Sequence, residues 1–220
     1  MAQNHPKSSS FAFLSTFKSI FIHNPSKKSS TITQTQLTLL SRTDPEYEII
    51  KNLFAITPKI HVIVKLKMPT KLENKHEKYK RFLVKYSARN INTVTYKMFH
   101  GTKRWRSCDL LMFNDQGVDI KKENETPRYC QNQCGLCGIL QQGNRKKCSR
   151  SRKKMWFAQD ANTSLNYCTY GTKTKVMFVI DCLTKTPPLN VFVTGKEKAT
   201  LPRYLIIFDD PYYFPVNSTN

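Results

Sequence analysis

The tightest local constraint on this chain is the spacing Cys130-x3-Cys134-x2-Cys137, with Gly135 inside the last interval and Gly138 just after it. A Cys-x2-Cys step with glycine in or beside it makes a knuckle that brings two sulfurs to one point, as tetrahedral zinc requires. Cys108 precedes this group by 22 residues and Cys148 follows it by 11, so five of the seven cysteines share one stretch. Seven is odd, and such crowding fits a metal site in a reducing compartment better than a secreted disulfide framework. The expected ligands are Cys108, Cys130, Cys134 and Cys137, with Cys148 the substitute for any of them. Four thiolates leave no open coordination position, so the zinc would be structural. The rival readings are reduced cysteines packed as small apolar groups, or a disulfide in an extracellular setting. A redox Cys-x2-Cys lacks the βαβ surroundings it needs.

Thirty-six Lys+Arg against fifteen Asp+Glu give a formal charge of +21, so an anionic partner is expected. No apolar run approaches the ~18 residues of a membrane-spanning helix. The chain is therefore expected to stand outside membranes, in the nucleus or cytoplasm. Its 220 residues fit one domain and a tail. Before the first acid, Asp44, come nine serines, five basic residues and one apolar patch at 11–22. Residues 1–43 read as a basic, Ser-rich disordered tail or as a weak organelle presequence. The domain is expected over 44–215, with a cysteine-rich insert at 108–148.

Asp44-Pro45 opens a short helix with Ile49, Ile50, Leu53 and Phe54 as its apolar face. Residues 59–67 alternate in period two, as a half-buried strand does. Thr70-Lys71-Leu72-Glu73 matches a capping box, and Leu72, His76, Tyr79, Leu83 and Tyr86 mark one face of a long helix over 70–87, on which His76 reads as a packed core histidine. Further strands are expected at 94–99, 175–181, 189–194 and 204–209. One long early helix and scattered strands, without βαβ alternation, indicate an α+β domain.

Phe99-His100-Gly101-Thr102 ends one of these strands. Trp156-Phe157-Ala158 follows, with Ser164 six and Tyr167 nine residues after the alanine, and Arg203-Tyr204-Leu205 opens the last strand. In order and spacing these motifs resemble the catalytic domain of the poly(ADP-ribose) polymerase family, over about 44–210. The resemblance is to the divergent branch in which His-Gly-Thr is soon followed by a Cys-x3-Cys-x2-Cys insert. It implies an ADP-ribosyltransferase-like fold, a split and mostly antiparallel sheet, and NAD as substrate. His100 would hydrogen-bond the adenosine ribose, and the Gly101 backbone and Ser164 hydroxyl would grip the nicotinamide amide. Thr102 completes the cofactor-binding motif, Tyr167 would stack on the nicotinamide ring, and Trp156 would cover its other side. His100 and Tyr167 are the implied catalytic residues. Breaking the nicotinamide–ribose bond builds positive charge on the ribose, so such a site works by holding ring and sugar at the geometry of departure.

Two departures matter. Polymerase-type members carry a glutamate on the strand before the last, whereas 189–194 here holds no acid and the nearest is Glu197. Polymer formation is therefore not expected; transfer of one ADP-ribose to a protein or nucleic acid is, with a catalytically inactive module binding nucleic acid, NAD or ADP-ribose as the alternative. Lys153-Lys154-Met155 also stands where the family usually has glycines. These lysines close a run of seven basic residues in 145–154, which reads as a solvated loop, a nuclear import signal, a phosphate contact or a nucleic-acid patch. Lys103, Arg104 and Arg106 around Trp105 form a second basic cluster.

Overall fold

Strand β7 (Thr174–Leu183) is apolar at both parities and buried along nearly its whole length, the mark of a strand covered on both faces. In a computed structural model that describes residues 31–213, apart from 57, 88–92, 106–107, 109–111, 115–116, 120–128, 131–133, 150–152 and 171, this strand lies at the centre of a seven-stranded sheet. The elements in order are β1 (Gln36–Leu39), α1 (Pro45–Phe54), β2 (Ile60–Lys67), α2 (Thr70–Ser87), β3 (Thr95–Gly101), β4 (Met112–Asn114), β5 (Gly117–Asp119), α3 (Gly135–Gln142), β6 (Met155–Ala158), α4 (Ala161–Leu165), β7, β8 (Val191–Thr194) and β9 (Thr200–Asp209). The sheet order is β1-β2-β9-β7-β3-β6-β8, each adjacent pair antiparallel, while β4 and β5 form a separate hairpin. The architecture is α+β with a mostly antiparallel sheet, as expected. Among the described residues no helix is long and apolar enough to cross a membrane.

Alternation along the strands sends side chains to two cores. On one face Ile50 and Phe54 of α1 and Ala161 and Leu165 of α4 pack against Phe99, Val179 and Ile206. On the other, Leu136, Ile139 and Leu140 of α3 join Met98, Phe178 and Leu205, together with Cys108, Cys134 and Cys137. Asp44 caps α1 as expected, accepting from the Glu46 amide at 2.8 Å, with Pro45 in the first turn.

Two expectations need correction. The tail does not run to residue 43: β1 pairs with β2 from Gln36↔Lys67 to Leu39↔Val64, and buried Thr35 donates to the Leu140 carbonyl. The stretch 31–43 is thus an edge strand with its approach, while 1–30 lies outside the described residues. The capping box of α2 also does not close. Thr70 Oγ1 accepts from the Ile32 amide at 2.8 Å, and Glu73 accepts from the Met68 amide at 3.2 Å while Arg203 Nη1 donates to it at 3.0 Å. The Thr70 amide that would close the box donates to the Ile32 carbonyl at 2.9 Å, and a guanidinium 130 residues away shares the Glu73 carboxylate. His76 is 3 % exposed and its Nδ1 meets the Lys198 carbonyl at 3.1 Å, so it is the packed histidine expected.

Candidate functional site

Backbone sterics assemble the end of β3. A Cβ on Gly101 would stand 2.0 Å from the Ser164 carbonyl oxygen, so only glycine lets α4 close onto the strand. Ser164 is 3 % exposed, and its hydroxyl donates to the Phe99 carbonyl at 3.1 Å, which makes it a fastener between helix and strand. Asp160 caps α4 by accepting from the amides of Asn162 and Thr163. The turn after α4 carries Tyr167, and its far side is tied down three ways. Cys168 Sγ donates to the Val176 carbonyl at 3.2 Å, Lys175 Nζ donates to the Thr169 carbonyl at 3.0 Å, and the Arg104 amide donates to Thr169 Oγ1 at 2.7 Å. Burial pushes the Cys168 thiol up to about 12, so it is a protonated donor.

Here the sheet splits. The registered pairing of β3 with β6 is the single pair Phe99↔Ala158, and beyond it the two strands part. His100 bridges the parting: its Nδ1 lies 2.9 Å from the Trp156 carbonyl, and its ring packs on Phe157 with centroids 5.1 Å apart. A carbonyl only accepts, so Nδ1 carries the proton. Burial holds the imidazole below its ordinary pKa, partly offset by that hydrogen bond. The ring is therefore neutral at pH 7, and its Nε2 is an acceptor.

The six residues expected at the NAD site are not all on one face. Met155 and Phe157 belong to the core that holds Met98, so Trp156 between them points the other way, to the face that holds Phe99 and α4. Trp156 is 51 % exposed and Tyr167 63 % exposed. His100 shares the Phe157 face. Thr102 turns toward the insert: it is buried, and a Cβ on Gly135 would lie 2.2 Å from its Oγ1. Glu197 stands apart from the group. It binds the Lys146 amide at 3.1 Å and Arg145 Nε at 3.3 Å, and Thr200, three residues on, is level through Cys182 with Tyr96, four residues before His100 along β3.

The cysteines meet as their spacing implies. The sulfurs of Cys108, Cys130, Cys134 and Cys137 all lie within 4.8 Å of one another, with Cys108 and Cys137 at 3.5 Å. Sulfurs about 2.3 Å from a tetrahedral zinc stand about 3.8 Å apart, so the cluster has the dimensions of such a site. Amides already point at the sulfurs, Trp105 N–H to Cys134 at 3.5 Å and Cys130 N–H to Cys137 at 3.4 Å. Hydrogen bonds from Cys108 and Cys137 hold the Cys134 thiol well below its usual range, while Cys108 and Cys134 push the Cys137 thiol up. Four thiolates so close repel one another, and a cation among them removes the conflict. Cys148 is exposed and outside the group, so no substitution of ligands is needed.

The basic run divides. Arg145 begins a 3-10 turn over Lys146–Cys148 near Glu197, Lys153 and Lys154 lead into β6, and 150–152 lie outside the described residues, as does Arg106. Sequence reasoning missed the Thr169–Arg104 clamp, which no local pattern signals, and the Phe157 stack on His100, which period two along β3 and β6 would have shown. Compared with known proteins, the chain matches no family model and no curated protein.

Proposed function

We propose that this chain is an ADP-ribosyltransferase-like domain that binds NAD where β3 and β6 part and transfers a single ADP-ribose to a protein or nucleic acid, releasing nicotinamide. The observation that carries the reading is the His100 imidazole set across the split, its Nδ1 committed to Trp156 and its Nε2 left to accept from a ribose hydroxyl. The backbone of Gly101, beyond the last registered pair with β6, is the contact for the nicotinamide amide, with Trp156 and Tyr167 as exposed aromatic surfaces for the ring. Ser164 serves that contact by fastening α4 to β3 through the Phe99 carbonyl, two residues before Gly101. In the transfer, the C–N bond between ribose and nicotinamide breaks, nicotinamide leaves with the bonding pair, and an acceptor nucleophile forms the new bond and gives up its proton. The cluster of Cys108, Cys130, Cys134 and Cys137 would hold a structural zinc that fastens the insert beside Thr102.

A second reading is favoured by one observation: β8 carries no acid and Glu197 is engaged at the other end of β3. In that reading the domain binds NAD, ADP-ribose or nucleic acid without turnover. Single-turnover incubation with labelled NAD separates them. Nicotinamide release that His100→Ala and Tyr167→Ala both abolish is the expected result; absence of release would leave the second, with calorimetry deciding whether NAD is among its ligands.

A further inference from the structure

Helix α2 carries Lys71, Lys75, Lys78, Phe82 and Tyr86 at steps of four, three, four and four, which lays them in one stripe beside its buried face. All five are exposed, Phe82 at 49 % and Tyr86 at 59 %. The stripe starts at a cavity of about 630 Å³ whose cationic lining is Lys71, Lys75, Arg145, Lys146, Lys196 and Lys198. Three separate chain segments supply those cations. The cavity's one acid, Glu197, is answered by Arg145 and by the Lys146 amide.

Aromatic rings continue from the cavity. Lys198 Nζ stands 4.9 Å and Lys196 Nζ 5.7 Å from the ring centre of Tyr79, which stacks at 6.1 Å on Phe82, itself 4.7 Å from Tyr86. Lys85 Nζ lies 5.5 Å over Tyr86. The remaining acids of α2 are occupied, Glu73 by Arg203 and Glu77 by Arg81 at 3.6 Å. A basic cavity that leads, past the buried ring of Tyr79, to the exposed rings of Phe82 and Tyr86 matches two features of one kind of ligand, phosphates along a backbone and unpaired bases with free faces. A duplex presents the first and hides the second.

We propose that the α2 face, from the Lys71–Lys198 cavity to Tyr86, binds single-stranded nucleic acid, with phosphates in the cavity and bases against Phe82 and Tyr86. The site is separate from the split beside His100, and its test uses no NAD, so it stands or falls apart from the transferase reading.

The experiment is fluorescence anisotropy of the full chain with a labelled oligouridine of about 12 nucleotides, within the usual site size for such strands, read across a salt series and against a duplex of equal length. Phe82→Ala with Tyr86→Ala is expected to weaken strand binding about tenfold or more while leaving the salt slope and the duplex affinity unchanged. Lys71→Gln, Lys75→Gln and Lys198→Gln together are expected to flatten the slope of log K against log salt by about 2, near 0.7 per lost contact. Phe82→Leu keeps apolar bulk and removes the flat ring, so it reads stacking even if the double variant loses structure. Strand binding unchanged by the ring variants would overturn the proposal. So would a duplex or inorganic polyphosphate bound as tightly as the strand, or binding abolished by Lys153→Gln with Lys154→Gln and untouched by the α2 changes.

Discussion

The centre of the sheet and the cysteine insert are held by different forces. Strands β3, β7 and β9 bury Phe99, Phe178, Val179 and Ile206 between two layers, so each residue contributes a little and its neighbours survive its loss. The insert brings four sulfurs within 4.8 Å of one another beside a short helix whose Leu136 and Leu140 reach the same core, and with the proposed zinc its cohesion is concentrated at that one point. The difference teaches where cooperativity lies: dispersed burial fails gradually, whereas a shared centre fails at once when one member goes.

The largest expected effect breaks the comparison at its sharper side. Cys137→Ser removes the sulfur that touches Cys108 and accepts from the Cys130 amide. Bound metal, read by mass spectrometry under native conditions, is expected to fall from one zinc per chain to none. Stability is expected to drop by about 3–5 kcal/mol, with amide exchange rising across α3 and staying slow in β7 and β9. Equal loss of protection in both regions would show that the insert is no separate unit.

Next in size is Gly101→Ala, which strikes where α4 meets the sheet. The added methyl would stand 2.0 Å from the Ser164 carbonyl oxygen and 3.1 Å from Cys168 Sγ, and the first of these is backbone. Helix α4 must move, at about 3 kcal/mol, and the melting temperature is expected to fall by about 6–12 °C with metal content unchanged. Loss of metal here would join the two regions that the comparison separates.

Acid offers a third, gentler test, on the layer under α2. Burial holds His76 down to about 4, against 6.5 for a free imidazole, despite the nearby Asp181. Between those values the unfolded chain takes up a proton that the fold refuses, so stability falls as pH drops from 6.5 to 4, and this group takes nothing further below 4. The loss is about 2–3 kcal/mol, and chemical denaturation at pH 7, 5.5 and 4 should show it in wild type and much less in His76→Gln. The difference in slope between wild type and His76→Gln is expected to be the same in metal-stripped protein, because His76 lies outside the cluster. Asp181 acts in a lower window. Burial opposes its charge, but Lys97 and Arg203 hold it below its ordinary value, so its contribution goes only as pH falls through that lowered pKa.

What the sequence disclosed follows the range of the forces involved. The long helix, the β-branched strands and the grouping of four cysteines rest on local period or spacing, and they stand where those patterns put them. β1 escaped notice because an edge strand needs only one buried neighbour, and Gln36-Leu37-Thr38-Leu39 is mostly exposed. α3 hid inside Gly135-Leu136-Cys137-Gly138, where two glycines argue against a helix that burial of Leu136 and Leu140 secures. The bond from Glu73 to Arg203 and the split at Phe99↔Ala158 come from residues far apart in the chain, and nothing local announces either.

The smallest effect sharpens the comparison most. Cys148 shares the basic, cysteine-rich stretch with the four clustered sulfurs, yet it is exposed in a 3-10 turn whose amide is satisfied by the Arg145 carbonyl at 3.0 Å. A cohesive force set by sulfur geometry, rather than by cysteine content, makes this thiol dispensable. Cys148→Ser is therefore expected to keep full metal content and shift stability by less than about 0.5 kcal/mol, as for an ordinary surface change. It should also leave alkylation of the metal-bound protein confined to the thiols outside the cluster, less one site. A drop in metal binding would mean that Cys148 exchanges into the cluster in solution, and the insert would then hold two alternative ligand sets in place of one.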